Sequence, residues 1–155
     1  MAFYSWLEWL HILSAIVLFG GAIAIAWFKW AGDGMSDVGA LHAINRKVRV
    51  AGWVFTAPTL VLQPVTGIAL AALSDRSLAE GWISGSLLLY AVAAVCWILG
   101  VRMQARMLAM SAAASGESHP LPAQYASIAG WWRGLNVAML VAFLAILWIM
   151  VFKPE

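Results

Sequence analysis

Four long apolar runs most constrain what this chain can fold into. They cover about 9–28, 50–73, 81–101 and 135–152, and none contains a Lys, Arg, Asp or Glu. A helix rises about 1.5 Å per residue, so roughly 20 residues cross a hydrocarbon core of about 30 Å. Helices suit that solvent because their backbone hydrogen bonds close internally. The expected fold class is all-α, an integral-membrane antiparallel four-helix bundle. It forms a single domain over 1–155, with helices at about 5–30, 40–73, 79–112 and 123–153. Composition agrees: 64% of residues are apolar, and nine Lys and Arg with seven Asp and Glu are too few to cover a soluble domain. One Cys excludes an internal disulfide framework, and a net charge of +2 gives no basis for a nucleic-acid partner. No Lys or Arg precedes Lys29, so the first run reads as a retained helix and not as a cleaved signal peptide.

The basic residues orient the bundle. Lys29, Arg46, Lys47 and Arg49 flank the first connection, and Arg102, Arg106 and Arg133 flank the third. Only Arg76 and Lys153 fall on the other side. The positive-inside rule then puts both termini outside. Ala31–Asp37 reads as a Gly/Asp turn in which Ser36 or Asp37 caps the next helix. Leu41–Val50 reads as a basic helical extension, Ser115–Pro122 as a polar loop, and Ala123–Arg133 as an interfacial stretch before the fourth helix.

The ten Trp follow this topology. Trp6, Trp9, Trp82 and Trp148 fall near the outer ends. Trp27, Trp30, Trp53, Trp97, Trp131 and Trp132 fall near the inner ends. Indole favours the interface, where its apolar body and single N–H donor are both accommodated. Trp9 and Trp82 are also placed to flank a bound ring.

Few polar groups lie inside the runs. His11 sits within the first helix, at a depth where an ionisable side chain is a candidate functional group. Ser14 shares its face, with small residues beyond. A ligand role and a hydrogen bond to a neighbouring helix are both open to it. On the second helix Gly52, Thr56, Thr59, Gln63 and Thr66 recur at spacings of three and four, a single polar face that Asn45 and Arg49 extend. Pro58 and Pro64 each remove a backbone donor and bend that helix. By depth His11, Gln63, Thr66, Ser86 and Tyr90 converge in the outer half. Interhelical hydrogen bonding is the alternative use for these groups. Gly81-x-x-x-Gly85 and Gly130-x-x-x-Gly134 suit close helix crossings. His42 and His119 read as solvated, Cys96 as a buried apolar residue, and Met103, Met107 and Met110 as packing. No Walker loop, zinc spacing or Ser/His/Asp set is present.

Trp6-Leu7-Glu8-Trp9-Leu10-His11-Ile12-Leu13-Ser14 with Gly20-Gly21, Thr56-Ala57-Pro58, Gln63-Pro64-Val65-Thr66-Gly67, Gly81-Trp82 and the Trp148-to-Pro154 ending resemble a family of bacterial predicted integral membrane proteins of unknown function. The resemblance covers nearly the whole chain and implies four helices. It also implies a multi-pass protein of the bacterial inner membrane. A more distant similarity is to HemJ-type protoporphyrinogen oxidase and CopD-like membrane domains, which also open on a Leu-His-Ile type motif. The HemJ-type His binds haem b, and that role carries over to His11. The Lys and His that such proteins carry in the third helix have no counterpart here, where Ser86 and Cys96-Trp97 stand instead.

The leading expectation is therefore a haem-b-binding inner-membrane protein with His11 as the metal ligand. Its role would be electron transfer or porphyrin- or quinone-linked redox, and any enzymatic activity would be that of a haem-dependent oxidoreductase. Ser14, Gln63, Thr66 and Tyr90 would line the cofactor site, Trp82 would flank the ring, and Arg76 would pair with a propionate. The partners are the lipid bilayer, a quinone or redox protein, and a second copy of the chain. The alternative is a cofactor-free membrane module, a small transporter or an interaction subunit of a membrane complex.

Overall fold

The computed structural model describes residues 2–117 and 120–153. The chain forms α1 (Ala2–Asp33), α2 (Val38–Ala51), a π-helical turn (Gly52–Thr56), α3 (Ala57–Leu73), α4 (Gly81–Glu117) and α5 (Gln124–Phe152). α2, the π turn and α3 run on as one span, so four helices are long and apolar enough to cross a membrane. Among the described residues there is no strand.

Local chemistry explains the breaks. Asp37 caps α2, its Oδ1 accepting from the Gly39 and Ala40 amides at 2.8 and 3.3 Å. α1 runs on to Asp33, past the start of the turn expected from sequence, because Lys29 and Asp33 pair at i, i+4 on its last turn. The π turn ends two residues before Pro58. There the Ala57 amide donates to the Gly52 carbonyl five residues back, a register change that absorbs part of the distortion a proline imposes. Thr59 Oγ1 donates to the Phe55 and Thr56 carbonyls at 2.6 and 3.1 Å. Pro64, inside α3, leaves the Leu60 carbonyl without its helical donor. The Tyr90 hydroxyl of α4 donates to that carbonyl at 2.6 Å.

The start of α1 and the end of α5 lie at one end of the bundle, and the connections rich in basic residues lie at the other, here called the basic end. Two apolar cores stack along the axis. Leu18, Ala22, Ala93, Met139, Ala142 and Phe143 form one. Leu41, Met107, Tyr125, Ile128, Ala129 and Trp132 form the other at the basic end, where α2 packs on α4 and the start of α5. Most other large apolar side chains are exposed around the spans, as lipid-facing residues must be.

Several expectations change. The stretch 123–133 does not stand apart from the fourth helix, which starts at Gln124, next to the expected 123. From Gln124 it belongs to α5, with Tyr125, Ile128, Ala129 and Trp132 buried against α2 and α4. Trp132 is consequently a core residue, 3% exposed, and not an interfacial anchor. Gly85, Gly130 and Gly134 are not packing notches, since a Cβ at each would meet open space. Gly32 is one: a Cβ there would lie 2.7 Å from Ile44 Cγ2. His119 and Pro154 lie outside the described residues.

Candidate functional site

The polar face of α2–α3 turns inward as its spacing requires, with Thr56, Thr59 and Thr66 all buried. Its groups separate into two layers along the axis.

The layer near the terminal end contains His11. Its Nδ1 lies 2.7 Å from Thr66 Oγ1. The Thr66 hydroxyl has one proton, directed at the Leu62 and Gln63 carbonyls at 2.7 and 3.2 Å. With that proton on a carbonyl the oxygen accepts from His11, an assignment that places the neutral imidazole proton on Nδ1 and leaves Nε2 as the open lone pair. The ring lies against α3, where a Cβ on Gly67 would come within 3.2 Å of His11 Cε1. Gln63 Oε1 is buried with no partner among the described residues.

The other residues expected around His11 are directed elsewhere. Ser14 Oγ, 3% exposed, donates to the His11 carbonyl at 3.0 Å. Ser86 donates to the Trp82 carbonyl at 2.7 Å, one turn back on its own helix. Tyr90 spends its hydroxyl on Leu60, and its ring lies 6.4 Å from that of Phe143. Trp82 Nε1 donates to Glu80 Oε2 at 2.9 Å, and Lys153 Nζ lies 5.4 Å from the indole centroid. Arg76 pairs with the same carboxylate at 3.3 Å, so Arg76, Glu80, Trp82 and Lys153 form a cluster of their own at the terminal end. Trp9 stacks edge-on against Trp6, with centroids 5.8 Å apart. Both stand away from His11 on α1, Trp9 two residues before it at about 200° round the helix and Trp6 five residues before it at about 140°.

The layer at the basic end was not expected. Lys29 had counted only as one of the orienting cations, yet its side chain is 0% exposed. Nζ pairs with Asp33 Oδ1 and donates to the Tyr125 hydroxyl at 3.0 Å. It also lies 5.2 Å from the Tyr125 ring centroid and 5.9 Å from that of Trp132, which gives the cation two aromatic faces. The Tyr125 hydroxyl donates to Asp33 Oδ1 at 3.0 Å. Asn45, 0% exposed, donates through Nδ2 to Tyr125 at 3.0 Å and to Ser111 at 3.1 Å. Ser111 in turn donates to the Leu108 carbonyl at 3.0 Å. Its oxygen lies 3.2 Å from His42 Nδ1, so His42 is half-buried and bonded and not simply solvated. Asp33 Oδ2 remains buried and unpartnered among the described residues. α1, α2, α4 and α5 thus each contribute to one connected set around a buried charge pair.

One sequence signal pointed to it. Lys29 and Asp33 stand at i, i+4 where an apolar helix ends, and Asn45 continues the polar face of the next span. The contributions of Ser111 and Tyr125 had no such signal. Among the described residues no three His, Cys, Asp or Glu side chains come together as a metal-holding group.

The family model described as "Predicted integral membrane protein (DUF2269)" matches residues 5–154. The chain belongs to this family. The match spans all four helices and both polar layers. No curated protein and no solved structure matches the chain, so the distant likeness to HemJ-type and CopD-like proteins gains no support from them.

Proposed function

We propose that this membrane protein is a cofactor-free module of the small-transporter class that handles protons at the Lys29–Asp33 pair. The observation that carries this reading is a lysine with a fully buried side chain, ion-paired within a membrane-spanning helix. A charge buried by protein is costly unless paired, and one held at the end of a membrane span is a candidate site for an ion or proton to enter. The pair can exchange between charged and neutral forms by one proton transfer without changing its net charge. Asp33 closes α1, its side chain 11% exposed, and Oδ2 is an acceptor not otherwise used. The positive-inside rule puts this end in the cytoplasm. The family resemblance suggests the bacterial inner membrane. The stacked apolar core separates this layer from His11 and Thr66 near the other surface.

The test is proton flux in liposomes that hold a pH-sensitive dye, driven by a potassium diffusion potential. The reconstituted protein is expected to acidify or alkalinise the lumen according to the sign of the potential, and Asp33→Asn and Lys29→Met to lose that flux. Flux no greater than in protein-free vesicles would overturn the reading.

A second reading keeps His11 as the ligand of haem b, in electron transfer or in porphyrin- or quinone-linked redox with a quinone or redox protein as partner. The bond from Nδ1 to Thr66 favours it, because ligating histidines are commonly held this way while the other nitrogen binds iron. Room within one chain does not favour it. The imidazole lies against Gly67, and the partly open cavity among the four spans is ≈ 30 Å³ and lies toward the basic end. A porphyrin would have to lie between two copies of the chain, where it would supply one-electron chemistry. A Soret band in protein expressed with excess haem, lost in His11→Ala, supports this reading. Colourless folded protein counts against it.

A further inference from the structure

The ≈ 30 Å³ cavity lies between all four spans. It begins one helical turn from Lys29 toward the membrane middle, where Ile25 lines it. Trp132 forms the partition: Lys29 Nζ lies 5.9 Å from its ring centroid, and the same indole lines the cavity.

Apolar side chains would suffice to close a packing defect, yet this lining includes three polar groups from three segments. Thr56 ends the π turn, Gln104 comes from α4 and Asn136 from α5. They are 2%, 6% and 8% exposed respectively. Asn136 Nδ2 donates to the Trp132 carbonyl at 2.8 Å, which leaves the amide oxygen as an acceptor. Gln104 has no hydrogen-bond partner among the described residues. A primary amide lining such a space takes its partners from it, and water is the smallest molecule that can both donate to it and accept from it. A buried water needs roughly 10–15 Å³ of such space and two to four polar partners, so the cavity has room for about two.

We propose that this cavity is a binding site for a pair of water molecules held by Thr56, Gln104 and Asn136. These waters form the wetted end, on the membrane side, of the Lys29–Asp33 centre. The water site stands on its own geometry; its part in conduction rests on the proton-handling reading above.

Gly52 provides the test. It lines the cavity, has ordinary helical angles (φ −59°, ψ −41°), and a Cβ added to it meets nothing within 4 Å. Gly52→Ala therefore adds a methyl at the cavity wall without a clash. In solid-state NMR of the full chain in bilayers, magnetisation transfer from water to the Gln104 side-chain amide is expected. Gly52→Ala should remove that transfer and cut proton flux at least tenfold, with Tm no higher than wild type. Gln104→Leu should likewise cut the flux while the protein stays folded. Absence of the water signal in folded wild-type protein would overturn the proposal. So would Gly52→Ala with a raised Tm and unchanged flux, the behaviour of a dry packing defect. If wild-type protein shows the water signal but carries no flux, the water site stands and the proton-handling reading fails.

Discussion

The Tyr90 hydroxyl donates to the Leu60 carbonyl at 2.6 Å, and that carbonyl is the one left without a helical donor by Pro64. A proline inside a membrane helix creates an unpaired acceptor where water cannot reach it, and a side chain from the next helix supplies the donor. Tyr90 looked from sequence like a group lining a cofactor site. Its hydroxyl is committed to the backbone of α3, so it ties α4 to α3. Tyr90→Phe is expected to cost about 1–2 kcal/mol. In a Pro64→Ala background, where an amide can close the helical bond, the same change should cost less. Unfolding of the four variants in bicelles measures the coupling, and equal costs in both backgrounds would remove the explanation.

Lys29 and Asp33 should behave as a unit. Removing one partner leaves a buried charge uncompensated, so Lys29→Met is expected to cost about 3–5 kcal/mol, with Asp33 only slightly exposed. Lys29→Met combined with Asp33→Leu should cost less than Lys29→Met alone. Steric-trap unfolding in bilayers checks this. A double variant as unstable as the sum of its parts would mean the two residues are not coupled.

The turn between α1 and α2 rests on close contact at Gly32. A Cβ there would meet Ile44 at 2.7, 2.9 and 3.3 Å through three of its carbons. Gly32→Ala should cost about 1–3 kcal/mol by overpacking. Ile44→Ala in the same chain should recover part of that loss. Thermal unfolding of the single and double variants decides whether the contact is as tight as the geometry requires.

The tautomer of His11 follows from its partner. With the Thr66 proton shared by the Leu62 and Gln63 carbonyls, the assignment has His11 donating from Nδ1. Nitrogen-15 chemical shifts of labelled histidine should show His11 neutral with its proton on Nδ1. Thr66→Val should weaken that preference. A neutral Nε2-protonated ring in the wild-type protein would contradict the assignment.

Sequence alone determined that this is a four-helix membrane protein, since the solvent is written into composition. Runs of about 20 residues without a charge tolerate only hydrocarbon around them, and the period of three and four put Thr56, Thr59 and Thr66 on the inward face. Depth counting also brought His11 level with Thr66, because both helices are measured from the same surface. The tertiary structure alone decided which polar groups meet. Helix rotation and the π turn set each side chain's direction, and these carry Tyr90 to a carbonyl freed by Pro64 and Asn45 to Ser111 and Tyr125. Lys29 shows the difference most clearly. In sequence it is one of seven cations that orient the bundle; in the fold, α2, α4 and α5 extend beyond the apolar runs and close over it. A charge that ordinarily faces water is thereby buried against Asp33, Tyr125 and Trp132.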